Sequence, residues 1–243
     1  GLPSWFVRSV LSVITPVLRR WDRIAASRPD AYIAISKRVA KRIQMYYGRK
    51  AESVIYPPVD LALFSRVTTR ESQIKSSYFL VVSRLVGYKH IDIIVDAFNA
   101  LGWPLVIVGE GREKHALERR AKENIRFVSN VTNRQLAHYY QHCRAFLFAA
   151  DEDFGIVAAE AQACGKPVIA YENSGIAEIV VPGKTGILFK EQSAASLRAA
   201  LNSFTNQWYD SHLCRENAKR FSKERFKQEM KNLVNTLYTK YIL

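Results

Sequence analysis

The sequence has no apolar run long enough to cross a bilayer. The longest near the start, Trp5 to Leu18, is interrupted by Arg8 and Pro16 and falls short of the roughly 20 apolar residues that a membrane helix needs. Cysteine is scarce: Cys143, Cys164 and Cys214 are widely spaced, odd in number and match no metal spacing. That argues against a disulfide framework and fits a reducing compartment. No cleavage-type signal is evident, so a cytoplasmic protein is expected. Internal repeats, low-complexity segments and any recognisable nucleic-acid module are also missing. Acid is what the two ends lack. Residues 1–50 hold eleven Lys/Arg against two Asp/Glu and residues 205–243 hold eight against four, within a net charge of +14. Charge alone would suggest nucleic acid, and with no module to support it no nucleic-acid partner is expected.

What is present is core-forming sequence. A chain of 243 residues with 48% hydrophobic content buries a sizeable core in one or two domains. Residues 4–28 carry Val7, Val10, Leu11, Ile14, Val17, Leu18, Trp21 and Ile24 at helical spacing, with Pro16 a candidate break or kink. Trp5, Phe6, Arg8, Arg19, Arg20 and Trp21 mix aromatic with basic side chains there. Such a face suits an anionic membrane surface, peripheral at the inner membrane face, or equally a partner surface that it packs against. A short strand is read at Ala31–Ile35. Ser36 is a plausible N-cap for a helix through Tyr47, with Gly48 as its stop, and Val54–Tyr56 is a further strand ended by Pro57 and Pro58.

From Tyr78 the pattern is regular. Apolar runs at 78–82, 105–108, 125–128, 145–149, 168–170 and 187–189 alternate with helical patterns near 89–100, 112–123, 133–142, 156–164 and 174–180. Strand alternating with helix predicts an α/β fold, a doubly wound, Rossmann-like parallel sheet covered on both faces. Ligands of such sheets bind beyond the carboxyl ends of the strands. Helices are expected near 193–203 and 211–240.

The stretch between the fourth of these strands and its helix concentrates candidate chemistry. Glu152 and Glu160 stand eight residues apart, one in the loop and one inside the helix that opens near Gly155. A helix N-terminus favours anions, Gly155 lets a ligand approach the backbone closely, and a carboxylate such as Glu160 can accept hydrogen bonds from a vicinal diol. The same acids could simply complement the helix dipole, and spacing does not separate the two readings. After the first regular strand, Arg84 and Lys89 could clamp one diphosphate, or could both be solvated. Val108-Gly-Glu-Gly111 is half a dinucleotide fingerprint and a weak signal alone. His138 and His142 have a possible metal spacing but no third ligand nearby, so they read as a surface helix face and no metal is expected.

Glu152-x7-Glu160 with Phe154-Gly155 and the following Ala-Cys-Gly-Lys-Pro-Val resembles the signature of the retaining glycosyltransferases of family four, most closely the O-antigen type that uses GDP-mannose. The likeness covers roughly residues 20–235. It implies a GT-B enzyme, in which two Rossmann-like domains face each other across a cleft, with most of the first domain absent. On that basis residues 1–64 are the remnant of the acceptor domain and the crossover, 65–220 the nucleotide-sugar domain, and 221–243 a C-terminal helix. The resemblance implies Arg84 and Lys89 at the donor diphosphate, Glu152, Asp153, Phe154, Gly155 and Ile156 at the donor sugar, Glu160 at the ribose and Val131 near the base, with Glu152 the catalytic candidate. It implies no cofactor or metal beyond a nucleotide-sugar donor, GDP-mannose, and a glycan or lipid-linked acceptor. His90 stands where the family often has Gly, and Ser174 replaces one of two glycines in Asn173-Ser-Gly175, so Glu178 beyond it is given no contact. A non-enzymatic alternative is a nucleotide-sugar binding module that needs a separate chain carrying the acceptor domain.

Overall fold

The computed structural model describes residues 4–65 and 78–242, with side chains placed for residues 10–65 and 78–240. The first segment runs α1 (Ser4–Ala26), β1 (Ile33–Ala34), α2 (Lys37–Tyr47), β2 (Ser53–Val54) and α3 (Leu61–Phe64). α1 is continuous across Pro16, so of the break or kink expected there the break does not occur; proline costs one backbone hydrogen bond and the flanking turns carry on. Val13, Val17, Leu18 and Trp21 remain exposed. α2 begins and ends where its residues dictate. The Ser36 hydroxyl accepts from the Val39 amide, and Gly48 takes the left-handed conformation that closes the helix. β1 and β2 pair in parallel, Ile33 opposite Ser53.

The second segment contains β3 (Tyr78–Val82), α4 (Ile91–Leu101), β4 (Leu105–Val108), α5 (Lys114–Arg120), β5 (Ile125–Val128) and α6 (Asn133–His142). Then come β6 (Cys143–Phe148), α7 (Ile156–Ala163), β7 (Val168–Tyr171), β8 (Gly186–Phe189) and α8 (Ala194–Thr205). Strands β3 to β8 form one six-stranded sheet in the order β5-β4-β3-β6-β7-β8, every pair parallel. Both faces are covered, as near-continuous apolar strands require. Ile94 and Phe98 of α4, Leu117 of α5 and Leu201 of α8 pack on one face; Tyr140 of α6 and the alanines of α7 pack on the other.

The expected 211–240 helix is two helices. α9 (Ser211–Ala218) ends in a 3-10 turn at Lys219–Phe221, and α10 (Lys223–Ile242) follows. The break has a packing cause: Phe221 is fully buried against Tyr56 and Phe154, which a straight helix would not permit. The chain then returns to the first segment. The Val59 amide donates to the Phe221 carbonyl at 2.7 Å and Arg225 donates to the Tyr56 carbonyl at 2.6 Å. Among the described residues no helix is long and apolar enough to cross a membrane.

Candidate active site

The strand order places the site. The chain runs outward from β3 to β5, crosses back to β6 beside β3, and runs outward again to β8. The switch point therefore lies between β3 and β6, where an open α/β sheet leaves a crevice beyond its strand ends. A cleft of about 540 Å³ occupies that place, a size suited to a small ligand. It is lined by Arg84 and Lys89 after β3, by Glu152 through Val157 after β6, and by Ile35 and Pro57 from the first segment.

Lys89 is almost wholly buried and would be costly there without a counter-charge. Glu152 supplies it in a direct ion pair. The rings of Tyr88 and Phe148 lie 4.8 Å and 5.5 Å from the ammonium. Arg84 is exposed and donates to the Tyr88 hydroxyl at 2.6 Å. His90, next in the chain, has φ +52°, a conformation glycine adopts freely and other residues only at a cost of about 1–2 kcal/mol. His90, where the resemblance leads one to expect glycine, thus holds the left-handed conformation that glycine would take without strain. The Val108–Gly111 turn is a support. Its Val108 and Glu110 carbonyls accept from the Ser83 and Leu85 amides at 3.1 Å and 2.8 Å, holding the loop that carries Arg84.

α7 starts at the cleft without a side-chain cap, leaving first-turn amides available to an anion. Gly155 has φ +85°, and a Cβ there would lie 2.1 Å from Ile176 Cγ1. The glycine expected for ligand approach is therefore demanded first by the neighbouring turn. That turn also binds the acidic loop: the Gly175 amide donates to the Glu152 carbonyl at 2.6 Å. Ser174 fits where a second glycine was expected because its hydroxyl turns inward to the Tyr171 carbonyl at 2.8 Å.

Two features of the rim lay outside the sequence reading. Asp151 pairs with Arg38 and Asp153 with Arg42, both arginines on α2. Glu178, given no contact beforehand, accepts from the Lys37 and Arg38 amides at 2.9 Å each and from the Tyr56 hydroxyl at 3.0 Å. It caps the start of α2 from across the molecule. The signal that could have revealed it is the first turn of α2 itself, which has no acid of its own.

Glu160 lies within α7, behind the residues that line the cleft. Its carboxylate accepts from the hydroxyl of Tyr140, a fully buried residue of α6, at 3.0 Å. Burial pushes the Glu160 carboxyl up to about 7, and the tyrosine hydrogen bond pulls the other way. The Tyr140 phenol is raised well above its ordinary value by burial and by the Glu160 charge. Val131 follows β5 at the sheet edge, packs partly buried against the core, and does not line the cleft. His138 is exposed, but His142 is buried with Nδ1 on the His138 carbonyl, so the surface-face expectation holds for one of the two. Among the described residues no group of three or more His, Cys, Asp or Glu is placed to hold a metal ion.

Residues 68–221 match the family described as Glycosyl transferases group 1. The chain belongs to that family. It is 26% identical over 211 residues to an uncharacterized glycosyltransferase of Methanocaldococcus jannaschii, covering 85% of this chain and 58% of that protein. It is also 26% identical to O-antigen chain mannosyltransferase C of Escherichia coli, over 84% of this chain and 57% of that one. Among solved structures, HepE of Anabaena in complex with UDP-glucose has the same fold, with TM-score 0.76 and 21% identity over 90% of this chain and 67% of HepE. This family member spans 58% and 57% of the length of the Methanocaldococcus jannaschii and Escherichia coli relatives, and its sheet is the Rossmann-like part of a GT-B architecture.

Proposed function

We propose that this chain is the donor-binding half of a retaining glycosyltransferase that moves mannose from GDP-mannose to a glycan or lipid-linked acceptor at the inner membrane face. The observation that carries the reading is the convergence of Arg84, Lys89, Glu152 and the uncapped start of α7 on one cleft at the switch point. In this reading the diphosphate lies against Lys89, Arg84 and the α7 amides, which offset the charge that builds on the departing nucleotide. Glu152 holds hydroxyls of the transferred sugar beside Asp153 through Ile156, Glu160 holds the ribose, and Val131 lies on the base side. Because Lys89 and Glu152 are paired in the free chain, donor binding exchanges their mutual contact for contacts to phosphate and sugar. The leaving phosphate takes the acceptor proton on the same face, so retention needs no separate base. The mannosyltransferase among the relatives supports the sugar, and the exposed apolar and basic faces of α1 support the membrane.

Calorimetric titration of the chain with GDP, UDP and ADP, beside Glu160→Ala, tests this. Selective GDP binding that the variant loses is expected, and ligand at a hundred times its dissociation constant should stabilise the fold by about 2.7 kcal/mol. Preference for UDP would overturn the donor, and no binding of any nucleotide would overturn the donor-half reading.

A further inference from the structure

The Glu160 side chain has one hydrogen-bond partner among the described residues, and it comes from a different helix. The Tyr140 ring is fixed by the core: it meets Phe64 edge-on at 5.8 Å and Phe146 at 5.8 Å. Its hydroxyl is buried with it and must find a partner, and the partner is Glu160 Oε2 at 3.0 Å. We propose that Tyr140 is a positioning residue for nucleotide recognition, anchoring one oxygen of the Glu160 carboxylate and favouring its ionised form, the form whose remaining acceptors can take a vicinal diol. The proposal rests on the ribose role given to Glu160 above.

The chemistry runs in one direction. A phenol O–H donates its single proton to a carboxylate oxygen and has nothing comparable to offer a neutral acid's hydroxyl, so it favours the charged form. The charged form is also the one with acceptor capacity left after Tyr140 is served: Oε1 entirely, and the second lone pair of Oε2. A protonated Glu160 would spend one oxygen as a donor and lose the paired acceptors that a diol needs. The anchor restricts rotation of the carboxylate plane as well, which lowers the ordering cost of binding.

The other titratable groups nearby do not take over this role. Cys143 begins β6 and Cys164 follows α7; both thiols are buried and pushed upward, hence neutral. Lys166 and Arg215 of α9 act on the Cys164 thiol, and neither contributes to the Glu160 shift. α3, which also packs on α7, brings no ionisable side chain. Burial and Tyr140 are what set Glu160, and of these only Tyr140 favours its charge.

The experiment is a pH titration of the Glu160 carboxyl by 13C NMR in the ligand-free chain, comparing wild type, Tyr140→Phe and Phe64→Leu, with GDP calorimetry at pH 7 alongside. Tyr140→Phe should titrate at higher pH than wild type and bind GDP about tenfold more weakly. Phe64→Leu disturbs the same aromatic cluster without touching the hydroxyl and should leave the titration where it is. Substituting 3,5-difluorotyrosine at position 140 keeps the ring and strengthens the donor, so the titration should fall to lower pH even if the phenylalanine variant folds poorly. An unchanged titration in both Tyr140 variants overturns the proposal. If the titration moves as expected but Glu160→Gln binds GDP as tightly as wild type, the ribose role of Glu160 fails instead, and the Tyr140 contact is left without a part in recognition.

Discussion

Glu160 and Asp153 sit seven residues apart in the chain, yet the buried interior behind the cleft and its rim treat their carboxylates differently. Behind the cleft lining, Glu160 is held by a single neutral donor within a buried aromatic cluster, and its ionisation is pushed close to neutrality. At the rim, Asp151 and Asp153 each face an arginine, with side chains around 40% exposed. Exposed ion pairs are screened and are worth about 0–1 kcal/mol each. A hydrogen bond to a buried carboxylate acts in a medium where little else competes. Number of charges is thus a poor guide to which end of the site controls its chemistry; solvent access is a better one.

Three substitutions sharpen that contrast, in falling order of effect. Gly155→Ala, between the rim and the buried interior, should cost about 3 kcal/mol. It combines a left-handed backbone with a Cβ driven into Ile176, and urea midpoints will measure it. A loss below 1 kcal/mol would mean that the 173–178 turn yields readily.

Glu160→Gln should do the opposite at pH 8, stabilising the ligand-free fold by about 2 kcal/mol. The sign follows from a folded-state value of about 7 against an ordinary 4.5. Folding then favours the protonated acid, so wild-type stability is greatest below the ordinary value and declines as pH rises to about 7. The variant, having no proton to lose, should show no such decline. Parallel pH profiles for the two proteins would refute a buried, shifted acid.

Arg42→Ala, at the rim, should cost less than about 1 kcal/mol, and the cost should shrink in high salt. A larger or salt-independent loss would place the Asp153 pair with the buried interior after all.

Much of this was readable in the residues. The runs at 78–82, 105–108 and 125–128 became strands without adjustment, and Ser36 and Gly48 bounded α2 as their side chains predict. Local chemistry decides such features. The loops carrying Arg84, Lys89, Glu152 and Gly155 could be recognised as neighbours because a doubly wound sheet gathers strand ends at its switch point. What stayed hidden depends on contacts far apart in sequence. Glu178 reaches α2 across 141 residues, and Phe221 interrupts the last helical pattern to fill a gap between Tyr56 and Phe154. Tyr140 is one of two adjacent tyrosines in the 133–142 helical pattern. Nothing in its neighbours along the chain says that its hydroxyl would end beside a carboxylate twenty residues later.

The end of the first segment and the start of α10 lie side by side. Tyr56 to Asp60 leads out along the same line that Phe221 to Arg225 follows back, joined by the Val59 to Phe221 hydrogen bond, a parallel bridge from Val59 to Ser222 and the Lys223–Asp60 pair. A body tied to another by one strap can swing and twist freely. Tied by two straps laid together, it can still fold about the seam they form but resists sliding along it. The seam made by these two passages is one tie between the first segment and the sheet, and the contacts of Glu178 with the Lys37 and Arg38 amides of α2 are a second, at a separate place.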